Sequence, residues 1–443
     1  MTPDESLDLK AARLLLNTTQ DLEAKGWYHS LELPNGEVIQ GTQSLDRLER
    51  RLSMLPIPQD LRGKRVLDIG AWDGWFSFAM ERRGAEVLAV DCVEIENFRY
   101  ARRKLGSRVD YQIMDVFEIT PERVGRFDIV LCLGVIYHLK HPLLAIERVC
   151  DLTTDLAIVE SFVADENLTH VEYPWMEFYE SDELGGQADN WSGPNVECLL
   201  AFCRTAGFAR AQLLEHTTDH RASVACYRHW DFTPAGGCRP GPILQMALHS
   251  QNNGINFNSA RDEYVSAWFL SDEALTRDSI FPEIGGYGAK PIYAARVGEN
   301  RWQINLKLPP GLPAGWQQMR IRTANSLFSN PISIAIDVPV STESLHVKSA
   351  YDSVDWKMGR VEMKNGRVTL WVSGLPSNAD LNNVRVDLGP ARLTLDYLQA
   401  EPDGEGYRQV NARLPRTVET GAASLVVSFG GVESNTFPVE VLG

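Results

Sequence analysis

The sequence lacks the features that mark several classes of protein. Its 443 residues contain no apolar run long enough to span a bilayer, and acidic residues stand near the N-terminus where a secretion signal would carry positive charge. The seven cysteines form neither the CxxC pairs of a zinc site nor an even-numbered disulfide framework. We therefore expect a cytoplasmic protein with reduced thiols, no bound metal and no membrane association.

Basic residues are scarce where a nucleic-acid partner would need them. The net charge is -16, and no Lys or Arg occurs between Arg148 and Arg204. Lys and Arg contacts to phosphates supply most of the affinity of proteins for nucleic acids. The sequence therefore disfavours a nucleic-acid substrate.

Two kinds of hydrophobic pattern divide the chain. Up to about Trp230, short apolar runs alternate with helical stretches, which is typical of βαβ units around a mostly parallel sheet. The Pro- and Gly-rich segment from Asp231 to Pro242 follows, and short alternating strands dominate after it. We predict an N-terminal helical or cap segment (1–60), an α/β domain (61–235) and two all-β modules (243–340 and 345–443).

The all-β region repeats itself. The stretch 305–309 recurs 106 residues later at 411–415, and the Ser-Asn pair at 329–330 recurs at 434–435. The module size and the turn spacing favour immunoglobulin-like sandwiches, and 347–443 resembles bacterial immunoglobulin-like modules through the phrases QVNARLP and GGVESN. We expect the modules to pack, to act as spacers, or to mediate protein or self-association. Stacking of Trp268, Trp316 or Trp356 on sugars is the alternative.

A ligand crevice is predicted near residue 70. Arg65 to Ile69 is a short apolar strand, a turn with Gly70 and Gly74 follows, and a helix is predicted over 75–83. A second strand over 86–90 delivers Asp91 to its carboxyl end, where a carboxylate can bind ribose hydroxyls. The full GxGxxG is absent, and Trp72 and Asp73 would crowd and repel a pyrophosphate. The pattern therefore favours a cationic, phosphate-free cofactor over a dinucleotide.

Two further strands complete the predicted crevice. Asp115 follows the third strand, where it either accepts a hydrogen bond from an adenine amino group or caps a helix. A fourth strand over 127–131 leads into a glycine-containing loop with Gly134, Tyr137 and His138. Since carboxyl ends of parallel strands meet at one edge, the reacting groups should lie there.

These motifs resemble class I S-adenosylmethionine-dependent methyltransferases over 61–228, in the order and spacing of 66–74, Asp91, Asp115 and 127–142. The phrases LDIGAWDGWFSF and LGVIYHLKHPLLAIERV are similar to the bacterial group that includes tRNA uridine carboxymethyltransferase. The resemblance implies a Rossmann-like, mostly parallel seven-stranded sheet with S-adenosylmethionine as cofactor. It places Asp68, Gly70 and Gly74 beside the methionine moiety, Asp91 at the ribose and Asp115 at the adenine. Trp72 departs from the family's usual glycine, and the cofactor-binding set is completed by Val116 and Gly134.

Three residues are candidates for acid–base chemistry. His138 is the predicted general base, because a His with a near-neutral pKa can take the proton of a hydroxyl nucleophile. Its alternative role is structural, in orienting the neighbouring Tyr137. Glu160, at the end of the strand DLAIVES, is the alternative base or a substrate contact. His141 lies three residues after His138, but a zinc site would need further ligands, so no metal is expected.

The acceptor pocket is predicted to be completed by a long, aromatic and acidic insert, residues 171–195. Inserts of this kind often form lids over active sites. The N-terminal segment 26–41 is expected to cover the site from the other side. The predicted substrate contacts in these two segments are Trp27, His29, Glu177, Tyr179, Trp191 and Asn195.

Three functions remain open at this point. The favoured one is O-methylation of a small molecule or glycan. The alternatives are a tRNA-modifying (carboxy)methyltransferase and a degenerate methyltransferase domain that acts as a binding protein. Titration with S-adenosylmethionine distinguishes the last of these, because a degenerate domain should not bind it.

Overall fold

A computed structural model describes the chain over 26–165, 173–217, 220–231, 239–252, 254–337, 345–430 and 432–443. The chain divides into two compact units, 1–231 and 232–443. The first 25 residues of the predicted cap segment and Cys238 lie outside the described residues.

The N-terminal unit alternates strands and helices as predicted. Its described helices are α1 Leu45–Met54, α2 Trp75–Arg82, α3 Glu96–Leu105, α4 Pro121–Val124, α5 Pro142–Leu152 and α6 Val196–Ala206. Two short 3-10 helices cover Val116–Glu118 and Ile136–His138. The strands are β1 Trp27–His29, β2 Leu31–Glu32, β3 Val38–Ile39, β4 Gly41–Gln43, β5 Arg65–Ile69, β6 Glu86–Asp91, β7 Asp110–Ile113, β8 Phe127–Leu133, β9 Thr153–Phe162, β10 Met176–Phe178, β11 Ser192–Pro194, β12 Arg210–Thr217 and β13 Arg221–Tyr227.

Seven of these strands form one sheet in the order β12-β13-β9-β8-β5-β6-β7. All neighbouring pairs from β9 to β7 are parallel, whereas β13 runs antiparallel to both β9 and β12. Apolar clusters cover both faces, because a parallel sheet between helices must bury each face. The predicted Rossmann-like, mostly parallel seven-stranded sheet is confirmed.

The N-terminal segment is fixed to the sheet domain by a buried carboxylate. Asp73 accepts hydrogen bonds from the backbone N–H groups of Tyr28 (2.9 Å) and His29 (3.0 Å), and its other oxygen pairs with Nδ1 of His29. Asp73 is 2% exposed. Its side chain therefore belongs to this attachment, and the sequence-based argument that it would repel a phosphate in the crevice is not supported.

Replacing Asp73 by Asn is expected to loosen this attachment. An amide keeps one acceptor oxygen but loses the charge that His29 and two N–H groups share, so the unfolding free energy should fall by about 1–3 kcal/mol. Urea denaturation measures the change. Asp46→Asn, at an exposed carboxylate in the first turn of α1, is the control and should lose only a smaller helix-dipole contribution; an equal loss in both variants would contradict the assignment.

The C-terminal unit contains only strands and one described 3-10 helix, Arg277–Ser279. The strands of its first half are β14 Ile243–His249, β15 Asn256–Phe257, β16 Tyr264–Leu270, β17 Ile280–Ile284, β18 Tyr287–Gly288, β19 Pro291–Arg296, β20 Arg301–Lys307, β21 Gly315–Thr323 and β22 Ile332–Ile336. Those of its second half are β23 His346–Asp352, β24 Arg360–Glu362, β25 Arg367–Ser373, β26 Val384–Leu388, β27 Ala391–Arg392, β28 Thr394–Leu398, β29 Tyr407–Arg413, β30 Gly421–Phe429, β31 Val432–Glu433 and β32 Phe437–Leu442.

Each half consists of two sheets around its own core. The first half pairs the sheet β14-β16-β20-β19 with β15-β22-β21-β17-β18. The second half pairs β23-β25-β29-β28 with a sheet built on β24-β32-β30-β26-β27. The strand content is consistent with the predicted β-sandwiches, and we refer to the halves as module 1 and module 2.

The repeated Ser-Asn pair has one structural job in both modules. The Asn330 side chain bonds both the N–H and the C=O of Leu244 (2.9 Å each), and Asn435 does the same at Val347. The preceding serines accept the N–H of Ile321 and Val427. The pair therefore closes each sandwich by tying its last segment to its first strand.

Every helix in the described part of the chain is too short or too polar to span a membrane. Within the same residues, no group of three or more His, Cys, Asp or Glu side chains is placed to hold a metal ion. The six described cysteines are free thiols.

Candidate active site

The crevice lies where the strand order reverses. β5 is hydrogen-bonded to β6 on one side and to β8 on the other, so the connections after β5 and β8 diverge to opposite faces of the sheet. Ligands of open α/β sheets bind at such a point, beyond the carboxyl ends of the strands. The predicted site residues at 68–74, 91, 115 and 134–138 all lie at or just after the carboxyl ends of these strands or their neighbours.

The turn after β5 requires glycine at both predicted positions. Gly70 has φ +71°, and a Cβ there would lie 2.4 Å from a methyl carbon of Val135 in the loop after β8. Gly74 has φ +88°, and its Cβ would lie 2.6 Å from the Phe98 ring. Both positions combine a left-handed backbone with close packing, which only glycine tolerates.

Trp72 occupies the middle of this turn. It has φ +51°, a conformation that costs a bulky residue free energy, and its side chain is 46% exposed. Its backbone N–H donates to a carboxylate oxygen of Asp91 at 3.0 Å. The turn therefore presents an aromatic ring to solvent beside the crevice and fixes the orientation of Asp91.

Two buried carboxylates line the base of the crevice. Asp68 accepts a hydrogen bond from the Ser77 hydroxyl at 2.6 Å, and both Asp68 and Asp91 are less than one-tenth exposed. Burial raises the pKa of Asp68 to about 6 and that of Asp91 to about 6. Carboxylates whose ionised forms are this poorly solvated are stabilised by a bound cation.

Asp115 adopts the role that the sequence left as its alternative. It is the N-cap of the 3-10 helix 116–118, and its Oδ1 accepts the N–H of Phe117 at 2.9 Å. The carboxylate is exposed, so the cap leaves its second oxygen accessible. The next residue, Val116, is 6% exposed and packs in the core below the crevice.

Tyr137 and His138 lie on the loop after β8. Their rings are 4.2 Å apart, and Nδ1 of His138 lies 3.3 Å from the backbone oxygen of Asp189 and 3.6 Å from its carboxylate. Burial lowers the pKa of His138 below its ordinary value, and Asp189 partly opposes this. Burial raises the pKa of Tyr137, which keeps its hydroxyl protonated.

Glu160 sits in a charge network that sequence reasoning missed. Its carboxylate pairs with Arg51 of α1 (2.5 Å) and Arg221 of β13 (3.3 Å), and it accepts the hydroxyl of Ser223 at 3.2 Å. Arg221 also donates to the Tyr137 hydroxyl at 3.0 Å. The two arginines lie 109 and 61 residues from Glu160, so no local motif could have revealed the network.

Gly134 allows this network to approach the loop. It has φ +78°, and a Cβ would lie 3.1 Å from a guanidinium nitrogen of Arg221 and 3.6 Å from the Tyr137 hydroxyl. Burial disfavours the charge of Arg221, but Tyr137, Glu160 and Tyr28 together raise its pKa above the ordinary value. Arg221 therefore stays charged, and its guanidinium donates a hydrogen bond to the Tyr137 hydroxyl oxygen.

The insert over residues 173–194 is attached to the reactive loop. The N–H of Trp191 donates to the backbone oxygen of Tyr137 at 2.8 Å, and the indole ring lies 4.1 Å from the Lys140 ammonium. The Tyr179 hydroxyl donates to Glu177 at 2.6 Å within the insert. Phe178, which the sequence reasoning passed over, is 65% exposed beside Trp191.

Asn195 closes this insert from below. It is fully buried as the N-cap of α6, where its oxygen accepts the N–H groups of Cys198 (2.8 Å) and Trp175 (3.1 Å), and its amide donates to the oxygen of Tyr173. The geometry therefore gives Asn195 a structural role, because its side chain is used by the cap of α6 and by the backbone of the insert.

The N-terminal strand presents a different residue to the site than the sequence suggested. Trp27 packs in the core with its ring 6.1 Å from Tyr100, and His29 is buried against Asp73. Side chains alternate along a strand, so Tyr28 points the other way. It lies close enough to Arg221 and Tyr137 to affect the pKa of both. Tyr28 thus replaces Trp27 and His29 as the candidate contact from this segment.

Comparison with known proteins agrees with this geometry. A family profile described as a methyltransferase domain matches residues 41–200, the part of the chain that holds the glycine turn, both carboxylates and the reactive loop. The N-terminal unit contains a class I methyltransferase domain. Domains of this class use S-adenosylmethionine, which is therefore the cofactor of this domain.

Curated relatives match about a third of the chain. The tRNA U34 carboxymethyltransferase of Pseudomonas paraeruginosa strain PA7 is 30% identical over 162 residues, which is 35% of this chain and 48% of the relative. The protein of the same name from Pseudomonas aeruginosa strain LESB58 is 32% identical over the same shares. The chain spans about half the length of the curated relatives it matches.

A solved structure is also similar to part of this chain. It is the N-terminal domain of EvdMO1 with SAH bound, which is 19% identical in sequence. The match covers 50% of this chain and 94% of that domain, with a TM-score of 0.37.

The residues of the methyltransferase domain fit S-adenosylmethionine. Asp68 and Asp91 form a buried acidic base that suits a cofactor with sulfonium and ammonium charges. Asp91 would hold the ribose, and the accessible oxygen of Asp115 would meet the adenine. The exposed Trp72 ring would lie beside the cationic part.

The affinity of this domain for S-adenosylmethionine is expected to fall with acidity. The cation favours ionised carboxylates, and the pKa of Asp68 and that of Asp91 are about 6. Affinity should therefore be constant above pH 7 and fall about tenfold or more by pH 5, as each carboxylate is protonated. Calorimetry at pH 7.5 and pH 5.0 measures this; equal affinities would contradict the acidic-base assignment.

Proposed function

We propose that the protein methylates an oxygen atom of a small molecule or glycan, with His138 as the general base. The observation that carries the proposal is the placement of His138: a partly buried imidazole with a depressed pKa, next to the Tyr137 ring and bonded to Asp189 of the insert. Bound S-adenosylmethionine supplies an electrophilic methyl group next to a neutral thioether leaving group.

The protein's own part is alignment of the acceptor. Arg221 donates to the oxygen of Tyr137, which leaves the Tyr137 O–H free to donate to an acceptor oxygen. Glu160 forms an ion pair with the Arg221 guanidinium and a second one with Arg51, so it holds Arg221 in place. Fixing a nucleophile in line is the main contribution an enzyme makes to a displacement at carbon.

His138 handles the acceptor proton in this proposal. A lowered pKa keeps the imidazole neutral at pH 7, so Nε2 can accept a proton while Nδ1 faces Asp189. Once protonated, the ring would be stabilised by the Asp189 carboxylate 3.6 Å away. Glu160 is less suited to this step, because two guanidinium groups already share its charge.

The insert supports a small or glycan acceptor. Residues 173–194 contain acidic side chains and no Lys or Arg. The segment is hydrogen-bonded to Tyr137 through Trp191 and to His138 through Asp189. An acidic cover disfavours a phosphate backbone. The exposed Phe178 and Tyr173 rings offer apolar surface on which a sugar or an aromatic ring could stack.

A tRNA-modifying role is the second candidate, favoured by the names of the curated relatives. Carboxymethyl transfer would require a cation for the carboxylate of the modified cofactor. Arg51 and Arg221 are cations at the site, but Glu160 already pairs with both, so such a carboxylate would have to compete with an internal one. For this reason we place methyl transfer first.

Labelling separates these functions. The protein is incubated with methyl-labelled S-adenosylmethionine and cell extract, with and without ribonuclease, beside an Asp91→Asn control. We expect ribonuclease-resistant label in a small molecule or glycan, absent in the control. Label that ribonuclease releases from RNA would establish the second candidate. If the protein bound neither S-adenosylmethionine nor S-adenosylhomocysteine, both transferase functions would be ruled out. The remaining alternative would be a degenerate domain that acts as a binding protein.

A further inference from the structure

The two β-modules carry the same four side chains at the same places. On the outer face of module 1, Trp268 of β16 lies opposite Gln303 of β20, and Asn305 of β20 lies opposite Tyr293 of β19. On module 2, Trp371 lies opposite Gln409 and Asn411 lies opposite Tyr397. We call each set an amide–aromatic row: row 1 is Trp268, Gln303, Asn305 and Tyr293, and row 2 is Trp371, Gln409, Asn411 and Tyr397.

Alternation along the strands places both rows on the outside. The neighbours of the row residues along β20 and β29 point into the cores, including Ile304, Leu306, Val410 and Ala412, which are at most 1% exposed. The row residues themselves are partly or largely exposed, and Tyr293 and Tyr397 are 45% and 46% exposed. Packing of the core therefore does not account for the duplication of these side chains.

The amides in each row are oriented in the same way. The Gln303 amide donates to the Asn305 oxygen at 3.2 Å, and the Gln409 amide donates to the Asn411 oxygen at 2.9 Å. This bond leaves the oxygen of each Gln and the amino group of each Asn for a ligand. Each row thus offers an acceptor and a donor side by side, flanked by an indole and a phenol.

Module 2 adds a third ring to its row. Trp356 is 54% exposed, has the strained value φ +57°, and its ring lies 6.0 Å from Trp371. The buried carboxylate of Asp352 forces the turn, because it accepts the N–H groups of Val354 (2.9 Å), Asp355 (3.3 Å) and Glu362 (2.9 Å). The backbone strain at Trp356 is kept by these hydrogen bonds, and the tryptophan ring is exposed as a result. Strained residues of this kind often have a binding role.

We propose that the amide–aromatic rows bind a neutral glycan. The row side chains carry no charge, which matches a polyol and not a phosphate or a charged peptide. Aromatic rings stack on the apolar face of a sugar, and paired amide donors and acceptors match neighbouring hydroxyl groups. Two copies of one site also suit a ligand that itself repeats. The site lies in the C-terminal unit and does not depend on methyl transfer.

The two rows belong to one compact unit. Asn382 of module 2 accepts the N–H of Ala247 (2.7 Å) and donates to the oxygen of Ser333 (2.8 Å), and Asp380 accepts the N–H of Ser333 (2.8 Å). Asn382 is 5% exposed. These buried contacts join module 1 to module 2.

Affinity electrophoresis of the full chain tests this proposal. The probes are dextran, glucomannan, galactan and xylan, each cast in a native gel. We expect at least one probe to retard the protein, and Trp371→Ala and Asn411→Ala each to weaken the association about tenfold. Trp268→Ala should have a smaller effect, because among the described residues no third ring accompanies row 1. Leu327→Ala, an exposed apolar change outside both rows, is the control.

The outcomes are decisive in both directions. Thermal melting identifies any variant that is misfolded, and Gln409→Ala, a change at a partly exposed amide, gives an independent reading of row 2. Lack of retardation by all four probes overturns the proposal, as does retardation that survives combined Trp268→Ala and Trp371→Ala. Retention of single-stranded RNA, or a dimer that Trp371→Ala dissociates without glycan binding, would assign the rows to another partner.

Discussion

Asparagine in place of Asp91 is expected to weaken the binding of S-adenosylhomocysteine about a hundredfold. Asp91 ends β6, is 7% exposed, and has one oxygen engaged by the N–H of Trp72 at 3.0 Å. A ribose offers two hydroxyl donors, and hydrogen bonds to a charged acceptor contribute roughly 1.5–3 kcal/mol each. An amide has one acceptor oxygen, so either the turn or the ribose loses its partner.

Calorimetry with wild-type and variant protein measures this effect. Asp110→Asn is the matched control, since Asp110 is an exposed carboxylate at the start of β7, the opposite end of the sheet. Its affinity should be unchanged. Asp91→Asn should also reduce the pH dependence of binding, because only Asp68 then titrates near pH 6. An Asp91→Asn affinity within threefold of the wild type would show that this carboxylate does not hold the ribose.

Glutamine in place of His138 is expected to lower turnover by about 10²–10⁴-fold and to leave cofactor affinity within about twofold. Glutamine keeps the size and hydrogen-bonding capacity of the side chain but cannot take up a proton. Initial rates with the acceptor identified by labelling give turnover, and calorimetry gives the affinity. A merely structural role for His138 would leave turnover unchanged.

The pH profile gives a second reading of His138. Burial depresses its pKa below the ordinary value, so the neutral, active form predominates at pH 7 and turnover should fall only as the pH drops through that depressed value. The charged or titratable groups facing the ring are Asp189, Tyr137 and Arg221. Asp189→Asn removes the group that raises the pKa, so the acid limb should move to lower pH.

Glu160→Gln discriminates between the two candidate bases. If Glu160 serves to hold Arg221, the variant should lose stability and shift the Tyr137 contact, since two guanidinium groups lose their shared counter-charge. If Glu160 is the base, turnover should vanish with stability retained while His138→Gln stays active. This second pattern would reverse the assignment.

Local sequence was enough to position the cofactor side of the site. β5 was predicted with its observed bounds, and the strands leading to Asp91 and Gly134 were predicted to within two residues of their ends. The reason is that a buried parallel strand is a short apolar run, and residues that follow such strands meet at one edge of the sheet. The glycines at 70 and 74 were also readable, because no other residue tolerates their backbone conformation.

The direction of individual side chains was not readable from local sequence. Trp27 and His29 are predicted substrate contacts because of their residue types. The pairing of β1 with β4 turns both side chains inward and brings Tyr28 close to Arg221. A strand that slips by one residue exchanges its two faces. Register is decided by the partner strand, so the three residues could not be ranked from their own segment.

The sequence by itself determined the fold class, the S-adenosylmethionine crevice and the duplication of the β-modules. Each of these depends on a local hydrophobic pattern, a short motif or a repeat. Only the tertiary structure decided that Asp73 anchors the N-terminal segment, that Glu160 pairs with Arg51 and Arg221, and that the duplicated Asn305 and Asn411 belong to outward-facing rows. These facts depend on contacts between residues far apart in the chain. Burial and charge pairing at that range are set by packing, and no window of sequence contains both partners.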